Sequence, residues 1–164
     1  MKKLIYLFAI IMTTISCSNA QQSHFSEETL KENVVTLEGK EISFKDVLDK
    51  HKGKTVLIEV WASWCSDCVK AMDKVKEIQN NNPDVDYVFI SMDKSMESWK
   101  SGLRKHEIVG DHYWVKDEKG MKGFFGKSID LNWIPRYIVV SAESDAKLYN
   151  ATEKDFEKII KELK

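Results

Sequence analysis

The chain has 164 residues, a usual length for one domain, and 43% of them are hydrophobic, which is enough for a single core. Its 25 basic and 26 acidic side chains nearly cancel. The sequence has no basic patch with interleaved aromatic residues, which argues against a nucleic-acid partner.

The N-terminal segment, residues 1–20, is typical of a secretory signal peptide. Two lysines precede an apolar run over residues 4–12, and small and polar residues follow that run. The run is shorter than the about 20 residues that a membrane-spanning helix needs. Residues 21–32 are polar and show no hydrophobic period, so we interpret them as a tether to a domain over residues 33–164.

Two cleavage sites compete, and they differ in the fate of Cys17. Cleavage after Ala20 follows a small-x-small pattern and would release a soluble periplasmic protein. Cleavage before Cys17 would leave a lipidated cysteine, and residues 14–17, with Ser16 before the cysteine, resemble a bacterial lipoprotein box. We favour lipidation of Cys17. The protein is then expected in the bacterial cell envelope, facing the periplasm and anchored to a membrane by its lipid.

The domain is predicted to begin with a β-hairpin. Two short strand-forming segments, residues 34–37 and 42–44, flank a turn that contains Gly39. A short helix is expected over residues 46–51. The β-branched, apolar run over residues 55–61 indicates a buried central strand.

A helix is predicted directly after that strand. Apolar side chains recur at helical spacing over residues 66–80, and the apolar run over residues 85–92 predicts a second buried strand. With a right-handed crossover the second strand is parallel to the first. Residues 95–106 are predicted to form a further helix with Ser95 as its N-cap.

The C-terminal third is predicted to start with a less regular stretch, residues 112–115 followed by a Gly- and Lys-rich segment over residues 119–127. A strand follows over residues 134–140, then a hairpin partner over residues 146–149 and an amphipathic helix over residues 152–164. The element order is a β-hairpin, then βαβα, then ββα. This order indicates an α/β fold with a central mixed sheet flanked by helices.

Cys65 and Cys68 are the only cysteines beyond the predicted signal peptide. Cys65 comes just before a predicted helix and Cys68 lies in its first turn, which brings the two sulfurs within bonding distance. The helix N-terminus favours the thiolate of Cys65 as the nucleophile, and Cys68 would be the resolving thiol. An inert structural disulfide is the alternative. No metal is expected, because a zinc site needs further cysteine or histidine ligands at suitable spacing.

The segment over residues 60–68, Val-Trp-Ala-Ser-Trp-Cys-Ser-Asp-Cys, resembles the active-site segment of the thioredoxin superfamily. Residues 37–44 and 52–57 resemble its exported, membrane-tethered TlpA/ResA-like branch. The resemblance implies a thioredoxin-like fold with an N-terminal β-hairpin extension, and the activity of a thiol–disulfide oxidoreductase. It implies no cofactor beyond a redox-active disulfide between Cys65 and Cys68.

The resemblance also assigns substrate-binding residues. The family has a cis-proline that faces the cysteines, and Pro135 matches that motif. Ile134, together with Trp133 before it, would then line the substrate groove. Trp64, directly before Cys65, would shield the disulfide at the same surface.

Glu59 is an acidic residue inside an apolar strand, where burial is costly unless the carboxylate is used or paired. In the superfamily this position often carries a buried acid near the resolving cysteine. By resemblance Glu59 would take the proton from Cys68, with its pKa raised by burial. The alternative is a carboxylate that forms a salt bridge with a lysine or faces solvent at a sheet edge.

The residues between the cysteines, Ser66 and Asp67, are expected to tune the redox properties. Asp67 stands where thioredoxin-like motifs commonly have proline. Its negative charge disfavours the Cys65 thiolate, which destabilises the dithiol form and makes the protein a better reductant. Ala71 stands where envelope relatives often carry an acid, so this sequence does not support substrate selection by that acid.

We therefore expect an envelope enzyme that reduces disulfides in exported proteins. By resemblance its clients would include apocytochromes c during cytochrome c maturation, and a membrane thiol donor would supply its electrons. The alternative is a non-catalytic thioredoxin-fold binding or scaffold domain with a structural Cys65–Cys68 bridge.

Overall fold

The computed structural model describes residues 24–164. Its strands are β1 (Asn33–Val35), β2 (Glu41–Ser43), β3 (Val56–Trp61), β4 (Asp86–Ser91), β5 (Asp111–Trp114), β6 (Arg136–Val140) and β7 (Ala146–Ala151). Its helices are α1 (Glu27–Lys31), α2 (Phe44–Lys50), α3 (Ser66–Asn81), α4 (Met96–His106), α5 (Phe124–Ser128) and α6 (Phe156–Glu162), with a single 3₁₀ turn over Gly120–Lys122.

The strands of the described part form one mixed sheet in the order β2-β1-β5-β4-β3-β6-β7. The β3–β4 and β4–β5 pairs are parallel. The β1–β2, β1–β5, β3–β6 and β6–β7 pairs are antiparallel. The predicted α/β fold with a central mixed sheet is thereby confirmed, as are the N-terminal β-hairpin and the parallel βαβ unit.

The central position of β3 follows from its sequence. All six of its residues are buried, and β4 and β6 pair with it on either side. A strand that is covered on both faces is apolar at nearly every position. Glu59 is the exception in β3, so the sheet carries one carboxylate at the centre of the core.

The prediction of a less regular stretch over residues 112–115 and 119–127 is wrong in both parts. Asp111–Trp114 forms β5, which pairs with β4 and with β1. Phe124–Ser128 forms α5, which buries Phe125. Both elements are too short to show a hydrophobic period in the sequence, and their stability comes from the partner strands and from packing.

The N-terminal segment corrects the predicted tether over residues 21–32. Phe25 is buried, and its ring lies 5.0 Å from that of Phe44 and 5.6 Å from that of Tyr149, measured between centroids. In α1, the buried Thr29 donates a hydrogen bond to the carbonyl of Ser128 at 2.9 Å. Residues 25–31 therefore belong to the domain. Their sequence shows no hydrophobic period, and the Phe25 ring and the Thr29 hydroxyl hold this short helix against the rest of the fold.

The predicted signal peptide over residues 1–20, with Cys17, lies outside the described residues. Among residues 24–164, none of the helices combines the length and the apolar character needed to span a membrane.

Candidate active site

The cysteine pair lies where the central strand meets the following helix. Cys65 and Cys68 form a disulfide with their Cα atoms 5.3 Å apart. Cys65 is the N-cap residue of α3, and its Sγ accepts a hydrogen bond from the backbone N–H of Cys68 at 3.1 Å. The sulfur of Cys65 thus sits on the helix N-terminus, where a backbone donor and the helix dipole stabilise a thiolate.

The two sulfurs differ in their access to solvent. Cys65 keeps 7% of its surface exposed, whereas Cys68 has none. A substrate sulfur can therefore reach Cys65 first, and Cys68 can react only with a group already bound to its neighbour. Among residues 24–164, no cluster of three or more His, Cys, Asp or Glu side chains is arranged to bind a metal ion.

The segment before β6 faces the disulfide. The peptide bond between Ile134 and Pro135 is cis. The carbonyl oxygen of Ile134 lies 3.5 Å from Sγ of Cys65, while the Ile134 side chain is buried in the core. Ile134 therefore presents its backbone to the cysteines, and its role in lining the substrate groove stays a prediction.

Two tryptophans next to these residues are exposed. Trp64 precedes Cys65 and exposes 56% of its surface, and Trp133 precedes Ile134 and exposes 51%. Large apolar side chains that stay exposed beside a reactive group are typical of a surface that binds a partner. The predicted role of Trp64 in substrate binding stays a prediction.

Asp93 holds the turn that leads to Cys65, and the sequence analysis missed it. Its buried carboxylate accepts hydrogen bonds from the backbone N–H of Ser63 at 3.0 Å and from the Ser63 hydroxyl at 2.6 Å. It also accepts one from the Ser91 hydroxyl at 2.8 Å. The available signal was a carboxylate directly after an apolar strand, where burial requires such partners.

Arg136 braces the segment on the other side of the disulfide, and it was missed as well. The buried guanidinium donates to the side chains of Asn132 and Asn150, each at 2.9 Å, and to the carbonyls of Ile129 and Asp130 at 3.3 and 3.4 Å. Burial lowers the pKa of Arg136 from its usual value. These bonds tie the residues that precede Trp133 to strands β6 and β7.

Glu59 lies in the middle of β3 and exposes only 1% of its surface. Burial raises the pKa of Glu59 to about 8. The Tyr137 hydroxyl, which lies opposite Glu59 in the β3–β6 register, lowers this pKa in part, although the two groups do not form a complete hydrogen bond. Within the described residues the carboxylate has no ion pair and no hydrogen-bond partner. The alternative of a salt bridge or a solvent-facing edge position is therefore wrong.

The residues between the cysteines lie at the surface. Ser66 is exposed. The Asp67 side chain exposes 39% of its surface, and its Oδ1 lies 3.4 Å from Nζ of Lys70. An exposed ion pair of this kind is weak, so the Asp67 charge remains largely available to act on Cys65.

The fold and this arrangement together define a thiol–disulfide oxidoreductase: a cysteine pair at a helix N-terminus, with one accessible and one buried sulfur, faces a cis-proline segment. The model of the thioredoxin-like family matches residues 53–146, which include Glu59, both cysteines and Pro135. The chain belongs to the thioredoxin-like family.

Known proteins agree with this assignment. A thiol–disulfide oxidoreductase ResA of Bacillus cereus is 26% identical over 136 residues, which cover 74% of this chain and 75% of that protein. A thiol–disulfide oxidoreductase from Bacteroides fragilis has a similar solved structure, with a TM-score of 0.66 and 20% identity over 80% of this chain and 96% of that one.

A second solved structure supports the fold over a longer part of the chain. The thioredoxin domain of a thiol–disulfide oxidoreductase from Bacteroides vulgatus matches with a TM-score of 0.64 and 21% identity, covering 87% of this chain and 99% of that chain. At this identity the two structural matches bear on the fold alone. The ResA match favours the enzyme over the scaffold domain.

Proposed function

We propose that this oxidoreductase reduces disulfide bonds in exported proteins of the bacterial cell envelope. The observation that carries the proposal is the unequal access of the two sulfurs at the N-terminus of α3, because it assigns attack to Cys65 and resolution to Cys68. The signal-peptide pattern of the sequence supports export.

The reaction takes two exchange steps. The Cys65 thiolate attacks one sulfur of the substrate disulfide, the other substrate sulfur leaves as a thiolate, and a mixed disulfide forms. Cys68 then gives its proton to Glu59 and attacks Cys65, which releases the second substrate sulfur and closes the Cys65–Cys68 bond. Two electrons pass from the enzyme to the substrate.

Glu59 suits the role of the base because of its burial. A pKa of about 8 lies near neutral pH, where the carboxylate can both take and return a proton. An acid with its ordinary pKa would be a weaker base toward a thiol.

The substrate chain would bind along the segment before β6. The backbone at Ile134 and Pro135 would pair with the residues next to the substrate disulfide, since the Ile134 carbonyl already lies against Cys65. Trp64 and Trp133 would supply exposed apolar surface on either side. By family resemblance, apocytochromes c are one class of client.

Two observations support the reductive direction and the location. The charge of Asp67 disfavours the Cys65 thiolate and so makes the dithiol form more reducing. The lipoprotein-box pattern at Cys17 supports a lipid anchor, which would keep the enzyme near a membrane thiol donor.

The purified Cys68→Ala variant tests the exchange chemistry. Mixed with a disulfide-containing peptide, it should accumulate a mixed disulfide on Cys65 that a reducing agent releases, because the resolving thiol is gone. The double variant Cys65→Ala/Cys68→Ala is the control and should capture nothing. If Cys68→Ala also captures nothing, Cys65 does not exchange with substrates, and the structural bridge is correct.

The reduction potential tests the direction. A value between roughly −200 and −280 mV with fast exchange is expected for the enzyme, whereas a structural bridge falls below about −300 mV. The lipid anchor is tested separately: Cys17→Ser should lose both lipid incorporation and recovery in the membrane fraction. If the Cys17→Ser protein stays in the membrane fraction, Cys17 is not the anchor.

A further inference from the structure

Three polar side chains, two of them buried and one partly buried, lie between the centre of the sheet and the start of α6. They are Glu59 in β3, Tyr137 in β6 and Glu153 in the connection from β7 to α6. Both carboxylate oxygens of Glu59, the Tyr137 hydroxyl and Oε2 of Glu153 are buried and have no hydrogen-bond partner within the described part of the chain. Polar groups in this position are costly unless they interact with one another, directly or through water.

Tyr137 is the middle member of this row. It lies directly opposite Glu59 in the antiparallel β3–β6 register, where side chains on the same face are neighbours. Burial raises the pKa of Tyr137, and the carboxylates of Glu59 and Glu153 raise it further. The hydroxyl therefore keeps its proton and can donate to one carboxylate while it accepts from the other.

Glu153 connects the row with the surface. It lines a cavity of about 320 Å³, whose other lining residues are Asp67, Lys70, Ala71, Lys74 and Phe156. The ring of Phe156 lies 5.3 Å from that of Tyr137, measured between centroids. Phe156, which lines the cavity, thus packs against Tyr137, and the lining residues at positions 67–74 belong to the first half of α3, the helix that carries Cys68.

We propose that Glu153 is a positioning residue for proton transfer: through Tyr137, it passes the proton of Glu59 to and from the cavity beside α3. The inference rests on the proposed role of Glu59 as the base for Cys68. It explains how a carboxylate with only 1% of its surface exposed, which holds a proton near neutral pH because its pKa is raised, can lose that proton and so act on Cys68 during resolution.

Each step of the transfer moves one proton. Glu59 takes the proton of the Cys68 thiol when Cys68 attacks the mixed disulfide. Glu59 then gives a proton through a bridging water to the Tyr137 oxygen, while the Tyr137 hydroxyl gives its own proton, also through water, to the Glu153 carboxylate. Glu153 releases that proton into the cavity, where it reaches solvent or the departing substrate thiolate. The charged groups that face Glu153 there are Asp67, Lys70 and Lys74.

Glu153→Gln tests the proposal in the full-length enzyme. The pre-reduced protein is mixed with a disulfide peptide, and attack by Cys65 and resolution by Cys68 are followed as separate phases between about pH 5 and pH 9. We expect resolution to slow by about tenfold, less than the 10²–10⁴ that general acid–base catalysis as a whole contributes. The rate of attack by Cys65 should not change. Glu157→Gln, an exposed acid on α6, is the matched control and should behave as the wild type.

Two further variants separate proton transfer from a structural role. Tyr137→Phe removes only the hydroxyl and should slow resolution as Glu153→Gln does. Glu153→Ala should recover its resolution rate when acetate is added, because acetate can enter the enlarged cavity and replace the missing carboxylate. A purely structural role of Glu153 would give no recovery with acetate, and that result would overturn the proposal.

Glu59→Gln distinguishes this inference from the proposed function. If resolution is slow in Glu59→Gln but normal in both Glu153→Gln and Tyr137→Phe, the base is correct and the path through Glu153 is wrong. If Glu59→Gln resolves at the wild-type rate, Glu59 is not the base, and the inference fails with it.

Discussion

Glu59 makes the stability of this domain depend on pH. Burial raises its pKa to about 8 in the folded protein, whereas the unfolded chain loses the same proton near the ordinary value of 4.5. Between these two values the folded state binds a proton that the unfolded state has released. The free energy of unfolding therefore falls as the pH rises through this interval.

We expect the free energy of unfolding of the oxidised protein to fall by a few kcal/mol between about pH 5 and pH 8 because of Glu59. Glu59→Gln should remove most of this fall, since an amide does not titrate, and should leave the variant more stable than the wild type at the upper end. Urea unfolding at a series of pH values measures it, with Glu157→Gln as the control. If the free energy of unfolding of Glu59→Gln falls with pH as steeply as that of the wild type, Glu59 is not the group responsible.

Asp67 permits a prediction about the reduction potential. Asp67→Asn removes a charge near the Cys65 sulfur, which should favour the thiolate and make the potential more positive. For a partly exposed charge worth about 0.5–1 kcal/mol, the shift is about 10–20 mV. Equilibration with glutathione measures it, and Asp73→Asn, exposed on the same helix, should leave the potential unchanged. A more negative potential in Asp67→Asn would show that the charge acts in the opposite sense.

At the level of single residues, the sequence reveals side chains whose importance is local. The spacing of Cys65 and Cys68 and the acid inside an apolar strand can be recognised from neighbours along the chain. Arg136 cannot, and for Asp93 only the need for partners is visible locally, because folding decides which partners these two side chains meet. Asp93, for example, holds Ser63, which lies 30 positions earlier.

At the level of secondary structure, Asp93 connects β4, β5 and the turn between β3 and α3. It follows β4, its carboxylate holds the turn between β3 and α3 through Ser63, and its carbonyl accepts a hydrogen bond from the Trp114 indole of β5 at 2.7 Å. The geometry of the turn before Cys65 therefore depends on a carboxylate supplied by the loop after a neighbouring strand.

Asp93→Asn replaces one of the acceptor oxygens by a donor that faces Ser63 or Ser91. We expect the free energy of unfolding to fall by about 1–3 kcal/mol. Cys65 should also react more slowly with a model disulfide, because the turn that positions it is loosened. Asp84→Asn, exposed before β4, is the control for both measurements. Unchanged stability and unchanged reactivity in Asp93→Asn would show that the turn does not need the carboxylate.

Element length decided which elements could be predicted, except for β1 and β2, which have three residues each and were found from the glycine-containing turn between them. The runs that became β3, β4 and α3 are long enough for their period to stand out, and all three were found. The short elements α1, α5 and β5 depend on contacts with distant parts of the chain, as with the Thr29 hydrogen bond to Ser128. Such contacts leave no pattern in the sequence around the element.

For the whole molecule, aromatic packing joins the first residues that the structure describes to the C-terminal part of the sheet. The Phe25 ring contacts Phe44 of α2 and Tyr149 of β7, and Phe44 contacts Phe125 of α5 at 5.5 Å between centroids. The segment that precedes the hairpin is thus held by elements from both halves of the fold.

Phe25→Ala should lower the free energy of unfolding by about 3 kcal/mol, as expected for a buried ring whose removal leaves a cavity. Glu28→Ala, exposed on α1, should have little effect and serves as the control. Chemical unfolding of both variants makes the comparison. Wild-type stability in Phe25→Ala would mean that the segment behaves as the tether that the sequence suggested.

The exposed position of Ser66 and Asp67 has a consequence for how this enzyme can be altered. The supports of the active site come from elsewhere, from Asp93 on one side and from the backbone of Ile134 on the other. Ser66 and Asp67 can therefore be replaced without disturbing the contacts that hold the active site. Evolution or design can change the reduction potential of the Cys65–Cys68 pair by replacing these two surface residues, with no compensating change in the core.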